Sequence, residues 1–152
     1  MPPTISEENY IEIEIEIPLV QTRSSPLTGN AGVFNAFFNP NQTTATTNTV
    51  HFNWILSTIP SGSRVSRVEV ASVRTNVAGM SYFVQIGRGP NVNSITYAPN
   101  IPWAATVSTN FFNTQDPSAI WALRFYATRV IVPPDFGAGA TVTSATLRVY
   151  YT

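Results

Sequence analysis

Carboxylates are the first residues to weigh for chemistry. Glu12, Glu14 and Glu16 alternate along residues 10–17, and no other stretch gathers three acids so closely. Alternate residues on one strand face stand about 7 Å apart, a separation that inverting glycosidases use. All three would lie in one flat row, whereas a glycosidase needs its two carboxylates on opposite sides of a sugar. They read better as a charged strand face. His51 is the single histidine. A Ser-His-Asp triad would need it as base, yet it sits between Val50 and Phe52 in an alternating run, and the chain has no nucleophile-elbow motif. A three-histidine zinc site is excluded by count. Asp116 and Asp135 stand beside prolines in turns, where aspartate caps the backbone. Gly87-Arg-Gly89 reads as a turn and opens no helix, so it is no phosphate cradle. Cysteine is absent, which removes disulfides, thiolate metal sites and thiol nucleophiles. No catalytic residue, metal or cofactor is expected, and the chain reads as a non-enzyme. For sugars, Trp54 and Trp121 fall on core faces. Trp103, following Pro102, with Tyr97 nearby, is the remaining ring platform; packing within its loop is the favoured reading.

The elements that would hold these residues are strands. Residues 10–17 place Ile11, Ile13, Ile15 and Ile17 on one face and the glutamates on the other, a period of two. Pro18 ends that ladder. Residues 50–56 turn Val50, Phe52, Trp54 and Leu56 to one side. Residues 65–74 and 142–151 echo one another: an isolated valine, Val65 or Val142, precedes an alternating run. In the first run Val68, Val70 and Ser72 share a face; in the second Ala145, Leu147, Val149 and Tyr151 do. Residues 80–86 alternate and then meet Gly87. Residues 119–132 are long and apolar, and their β-branched and aromatic content favours a strand over a helix. Between residues 19 and 48, turn formers dominate, with one short strand at 33–38 and a loop or exposed edge at 43–49. Residues 94–97, 103–107 and 109–112 pair briefly at most. Strands every ten to twenty residues with turns between them predict an all-β fold: one β-sandwich or jelly-roll domain over residues 10–152, with residues 1–9 as an extended arm.

Composition narrows the partners. The chain has 152 residues, 11% of them charged, under half the usual quarter. Its eight basic residues are all arginine. A surface so poor in charge must be covered by Thr, Ser, Asn and Gln, which suits a subunit of an assembly. The formal net charge is zero, so nothing argues for nucleic acid. No run approaches a membrane span, and no basic-then-apolar leader opens the chain, so no signal peptide is expected. Charge is nevertheless divided. Residues 1–17 hold five of the eight acids and no base; residues 18–152 hold all eight arginines against Glu69, Asp116 and Asp135, so the two parts are −5 and +5.

Four pieces carry a resemblance to a known family. They are Ile59-Pro-Ser-Gly-Ser-Arg-Val-Ser-Arg-Val-Glu-Val70, Phe83-Val-Gln-Ile-Gly87, Ile120-Trp-Ala-Leu-Arg-Phe125 and Ala145-Thr-Leu-Arg-Val-Tyr-Tyr-Thr152. In this order they resemble the β-sandwich virion proteins of tailed bacteriophages, found on heads, tails or fibres. The resemblance runs from Ile59 to the end, brings no catalytic residues, and implies a structural subunit of the virion. A capsid decoration or cement subunit on the head surface is the favoured form. It would bind the major capsid protein or another virion protein and would be a homo-oligomer, most readily a trimer. The alternative is a carbohydrate-binding module or a fibre or tail receptor-binding subunit. For the subunit interface we expect Ile11, Glu12, Ile13, Glu14, Ile15, Glu16 and Ile17 to meet a neighbouring subunit or the shell, with Arg64, Arg67 and Arg74 opposing the glutamates; the equal alternative is that this strand folds back into its own domain. Each buried isoleucine would contribute about 1.5–3 kcal/mol; each exposed ion pair about 0–1 kcal/mol.

Overall fold

A computed structural model describes residues 24–55 and 58–152. The arm, the strand expected over residues 10–17 and Leu56 lie outside the described residues. Within them the fold is all-β and contains no helix. In chain order the strands are β1 (Leu27–Ala31), β2 (Phe34–Phe38), β3 (Thr44–Thr46), β4 (Val50–Asn53), β5 (Val65–Arg74), β6 (Met80–Gly89), β7 (Thr96–Tyr97), β8 (Ile101–Pro102), β9 (Thr106–Thr109), β10 (Ile120–Arg129) and β11 (Ala138–Tyr151).

Two antiparallel sheets stack face to face. In one, β11 is flanked by β5 on one side and by β1 and β2, end to end, on the other, and β9 borders β5. In the other, β10 is flanked by β6 and by β3 and β4, end to end, while β7 and β8 border β6. Take each end-to-end pair as one interrupted strand. The first strand then lies beside the last and the second beside the second-to-last, which is jelly-roll order.

The long central strands are the ones whose alternation was legible. β10 turns Trp121, Leu123, Phe125 and Ala127 inward, and all four are fully buried. They meet Phe34, Val68, Val70, Leu147 and Val149 of the facing sheet. Phe34 packs edge-on against Phe125, and Phe112 against Trp121, with ring centroids 5.0 and 5.2 Å apart; such edge contacts add about 0.5–1.5 kcal/mol beyond area burial. The isolated valines have a structural cause. The β5–β11 register shifts between Val142 and Ser144 and again between Tyr150 and Tyr151. Each shift is a bulge that admits an extra residue and resets which parity faces inward, so Val142 and Ala145 are both buried, as are Val65 and Val68.

The structure differs from the sequence reading in several places. A short β8 forms at Ile101–Pro102, and one strand at Thr106–Thr109 stands in place of the two expected at 103–107 and 109–112, with turn at residues 111–114. β1 forms where only turns were expected; its Gly29 lies under the Phe52 ring, which a Cβ there would strike. β6 runs through Gly87 and Gly89 instead of turning at them. A Cβ on Gly89 would strike the Ser94 carbonyl oxygen, and one on Gly87 would strike Ile95 and Tyr97. The strand needs bare backbone there because the next segment lies directly upon it. β10 stops at Arg129, so Val130 and Val132 leave the sheet and stand exposed.

Candidate docking surface

The end of the sandwich where β10 passes to β11 is apolar and exposed. Val130, Val132 and Phe136, all in the connecting loop, are 72%, 74% and 82% exposed. Phe37 at the end of β2 is 60% exposed, and Val77 in the β5–β6 turn is also open. Five of the ten large hydrophobic residues exposed among the described residues thus share this pole. Two contacts link parts of this pole. Phe37 lies against Gly137, where a Cβ would come within 2.9 Å of its ring, and the Val130 amide donates to the Gly79 carbonyl at 3.1 Å. Gly137 has φ of +92°, a conformation that favours glycine.

The loop is held by a buried clamp. Arg129 Nη1 and Nη2 donate to Asp135 Oδ1 and Oδ2 at 2.8 and 2.9 Å, a bidentate pair. Both side chains are only 8% exposed. Arg129 also donates from Nε to the Gln42 carbonyl and from Nη2 to the Asn39 carbonyl. Its guanidinium lies 4.9 Å from the Phe38 ring centroid. Asp135 further accepts from the Asn41 and Gly137 amides. The Arg129 hydrogen bonds, with that from the Asn41 amide, hold the Asp135 carboxyl below its ordinary pKa. Two ions taken out of water need this number of partners to be tolerated.

The sequence-derived candidates are spread over the molecule. Arg64 and Arg67 stand at the start of β5 and Arg74 at its end. Arg67 stacks 4.1 Å from the Tyr150 ring and lies 3.9 Å from Glu69, whose carboxylate also accepts from the Tyr150 hydroxyl at 3.0 Å. Arg64 pairs its backbone with Thr152. Arg74 lies near the apolar pole, 4.3 Å from the Trp103 ring, beside a shallow cleft of about 270 Å³ shared with Tyr82, Phe83 and Pro102. Tyr97 and Trp103 do not form one platform. Tyr97 sits against Gly87 with Arg124 stacked 4.0 Å from its ring, and Arg124 donates to Gln85. Trp103 donates Nε1 to Ser72 at 2.8 Å. Both residues are half-buried, and Trp103 itself lines the cleft beside Arg74. Among the described residues no three His, Asp or Glu side chains are grouped to hold a metal ion. His51 is exposed on β4, opposite Ala122.

No protein-family model and no curated protein sequence matches this chain. Among solved structures, the backbone is similar to FLHE, with a TM-score of 0.44 and 13% identity over 84% of this chain and 98% of that one. It is similar to the Yersinia pseudotuberculosis-derived mitogen, with a TM-score of 0.37 and 10% identity over 82% of this chain and 86% of that one. It is also similar to the infectious bursal disease virus VP2 subviral particle, with a TM-score of 0.38 and 14% identity over 94% of this chain and 38% of that one. These are distant likenesses of backbone, and no activity or partner follows from them.

The apolar pole is the feature that sequence reasoning missed. Val130 and Val132 look like a strand continuing, and the clamp joins Arg129 and Asp135 across Pro133-Pro134 to Asn41, 94 positions from Asp135. The one available signal was the proline pair, which had to end the ladder soon after Arg129.

Proposed function

We propose that this chain is a non-catalytic structural subunit of a tailed-phage virion, a decoration or cement subunit bound to the head shell. Its partners are the major capsid protein and further copies of itself, in a homotrimer. The observation that carries the reading is where the four resembling pieces fall. They occupy β5, β6, β10 and β11, the central pair of each sheet in a jelly roll. A jelly roll hosts many functions, so the fold alone does not choose among them. Two further features support a subunit over a free protein. One is the low charge, 11% of residues. The other is a pole whose large apolar side chains stand in water, a pattern that marks interaction sites.

Virus particles made by the genome that encodes this chain provide the test. Mass spectrometry of purified particles, followed by cryo-electron microscopy, should place the chain on the head at fixed copy number. Heads lacking it should rupture at lower temperature. Absence from the particle, or heads of unchanged stability without it, would contradict the cement reading. Specific glycan binding lost in Trp103→Ala would favour a receptor-binding subunit instead.

A further inference from the structure

We infer that the apolar pole is the seat of residues 10–17 from a neighbouring copy of this chain. The inference does not depend on which particle, if any, the protein serves. Three observations meet in it.

The first is that the exposure is built. Val130, Val132 and Phe136 point into water from a loop fixed at its base by the Arg129–Asp135 pair and by Asn39, Asn41 and Gln42. A loop anchored this firmly presents the same apolar surface to every partner, which lowers the ordering cost of binding.

The second is reach. The described chain starts at the opposite pole: Leu27 pairs with Val149, and the Tyr151 amide donates to Ser25 Oγ. From there to the start of β11 is the length of a 14-residue strand, about 45 Å. Seven Cα-to-Cα steps separate Ile17 from Ser24, at most about 24 Å, and eleven separate Ile13 from Ser24, at most about 37 Å. Residues 10–17 as a whole therefore cannot lie on the apolar pole of their own copy. They can reach a neighbour's.

The third is chemistry. In an extended chain Ile11, Ile13, Ile15 and Ile17 would share one face, and an all-isoleucine face suits a surface of valine and phenylalanine. Glu12, Glu14 and Glu16 share the other face and stay wet when the isoleucines dock. Their charge acts at a distance. Residues 1–17 hold five acids and no base, while residues 24–152 hold seven arginines against three acids. Opposite charge speeds the encounter, and isoleucine burial holds the complex. Such a tail-to-pole contact is heterologous and gives a closed ring when its rotation closes.

The absence of cysteine allows a direct test in the full chain. Ile13→Cys protein is mixed with an equal amount of Val132→Cys protein, or of Val92→Cys protein, whose thiol marks an exposed site at the opposite pole. Circular dichroism first confirms that each variant keeps its strand spectrum, and Phe136→Cys replaces Val132→Cys if that variant does not fold. After mild oxidation, interchain disulfides are counted by mass spectrometry. The expected result is at least a fivefold excess of the 13–132 heterodimer over the 13–92 heterodimer. Equal yields would overturn the proposal. So would a mixture dominated by 132–132 dimers, because that product means the poles pack on each other.

Discussion

Each end of the sandwich is closed by an arginine, and the two ends use it differently. At the end where β1 begins, Arg88 gives Nε and Nη2 to the Asp116 carbonyl and Nη1 to Gln115, with Trp121 beneath it. Burial pushes that guanidinium below its ordinary pKa, and the charge of Asp116 partly offsets the push; it stays protonated. This arginine seals a core. At the other end Arg129 takes a carboxylate, and the loop it anchors turns its apolar side chains outward. Val92 and Phe111 are exposed at the Arg88 end, whereas Phe37, Val77, Val130, Val132 and Phe136 are exposed at the Arg129 end. A buried ion pair contributes little net stability against a well-packed apolar alternative. At the apolar pole its use is to fix a shape. One end is closed over its core, and the other presents the surface that we propose as an interface.

The largest difference should appear when each end loses its central side chain. Trp121→Ala removes a fully buried ring that packs on Phe112 and donates to the Pro117 carbonyl. It should cost about 3–5 kcal/mol in urea unfolding. Phe136→Ser at the other end should change stability by no more than about 0.5 kcal/mol. Comparable losses from both would erase the distinction between the poles.

A smaller effect should follow from opening the clamp. Arg129→Ala leaves the Asp135 carboxylate without its cation, and Asp135→Asn keeps the shape but loses the charge. Both should lower Tm by less than Trp121→Ala does, with Arg129→Ala the worse of the two, and both should weaken self-association. Thermal melts paired with light scattering check this; a clamp variant that melts lower yet associates normally would separate the clamp from the interface.

The clamp also gives a pH signature. The carboxyl of Asp135 has its pKa depressed in the folded protein. Its contribution is therefore fully present above the ordinary aspartate pKa of about 3.9. It is lost as pH falls from there through the folded value. Wild-type Tm should fall across that acid window more steeply than that of Asp135→Asn. Parallel curves would remove Asp135 from the account.

The smallest effect belongs to the acidic face. Replacing Glu12, Glu14 and Glu16 together by Gln should slow association at low salt and leave folding stability unchanged. By stopped-flow scattering the difference from wild type should shrink as salt rises, because screening shortens the reach of charge. A defect that persists in high salt would mean the glutamates make direct contacts.

How far the sequence could be read follows from which contacts are local. β5, β6, β10 and β11 were legible because one face of each is buried along most of its length, which leaves a period of two. Even their phase breaks, at Val65 and Val142, show in the sequence, and the bulges are their cause. β1 was hidden because Gly29 and Asn30 resemble a turn; Gly29 is there to admit Phe52 from the facing sheet. Gly87 and Gly89 misled for the same reason, since bare backbone serves a close approach as well as a turn. β3 and β9 are short, Thr-rich edges with little to bury. Tyr97 and Trp103 were visible as aromatic residues, but their stacking on Arg124 and Arg74 joins segments far apart in the chain. The apolar pole is hardest of all, because its clamp depends on residues brought together only by the finished fold.

If the apolar pole joins copies of this chain, opening it must release monomers. Sedimentation equilibrium of the full chain and of the Val132→Ser, Phe136→Ser double variant tests it most directly. The account predicts an oligomeric mass for the wild type and a monomeric mass for the variant at the same concentration, with both chains melting within a few degrees of each other. Identical masses for the two proteins would contradict it.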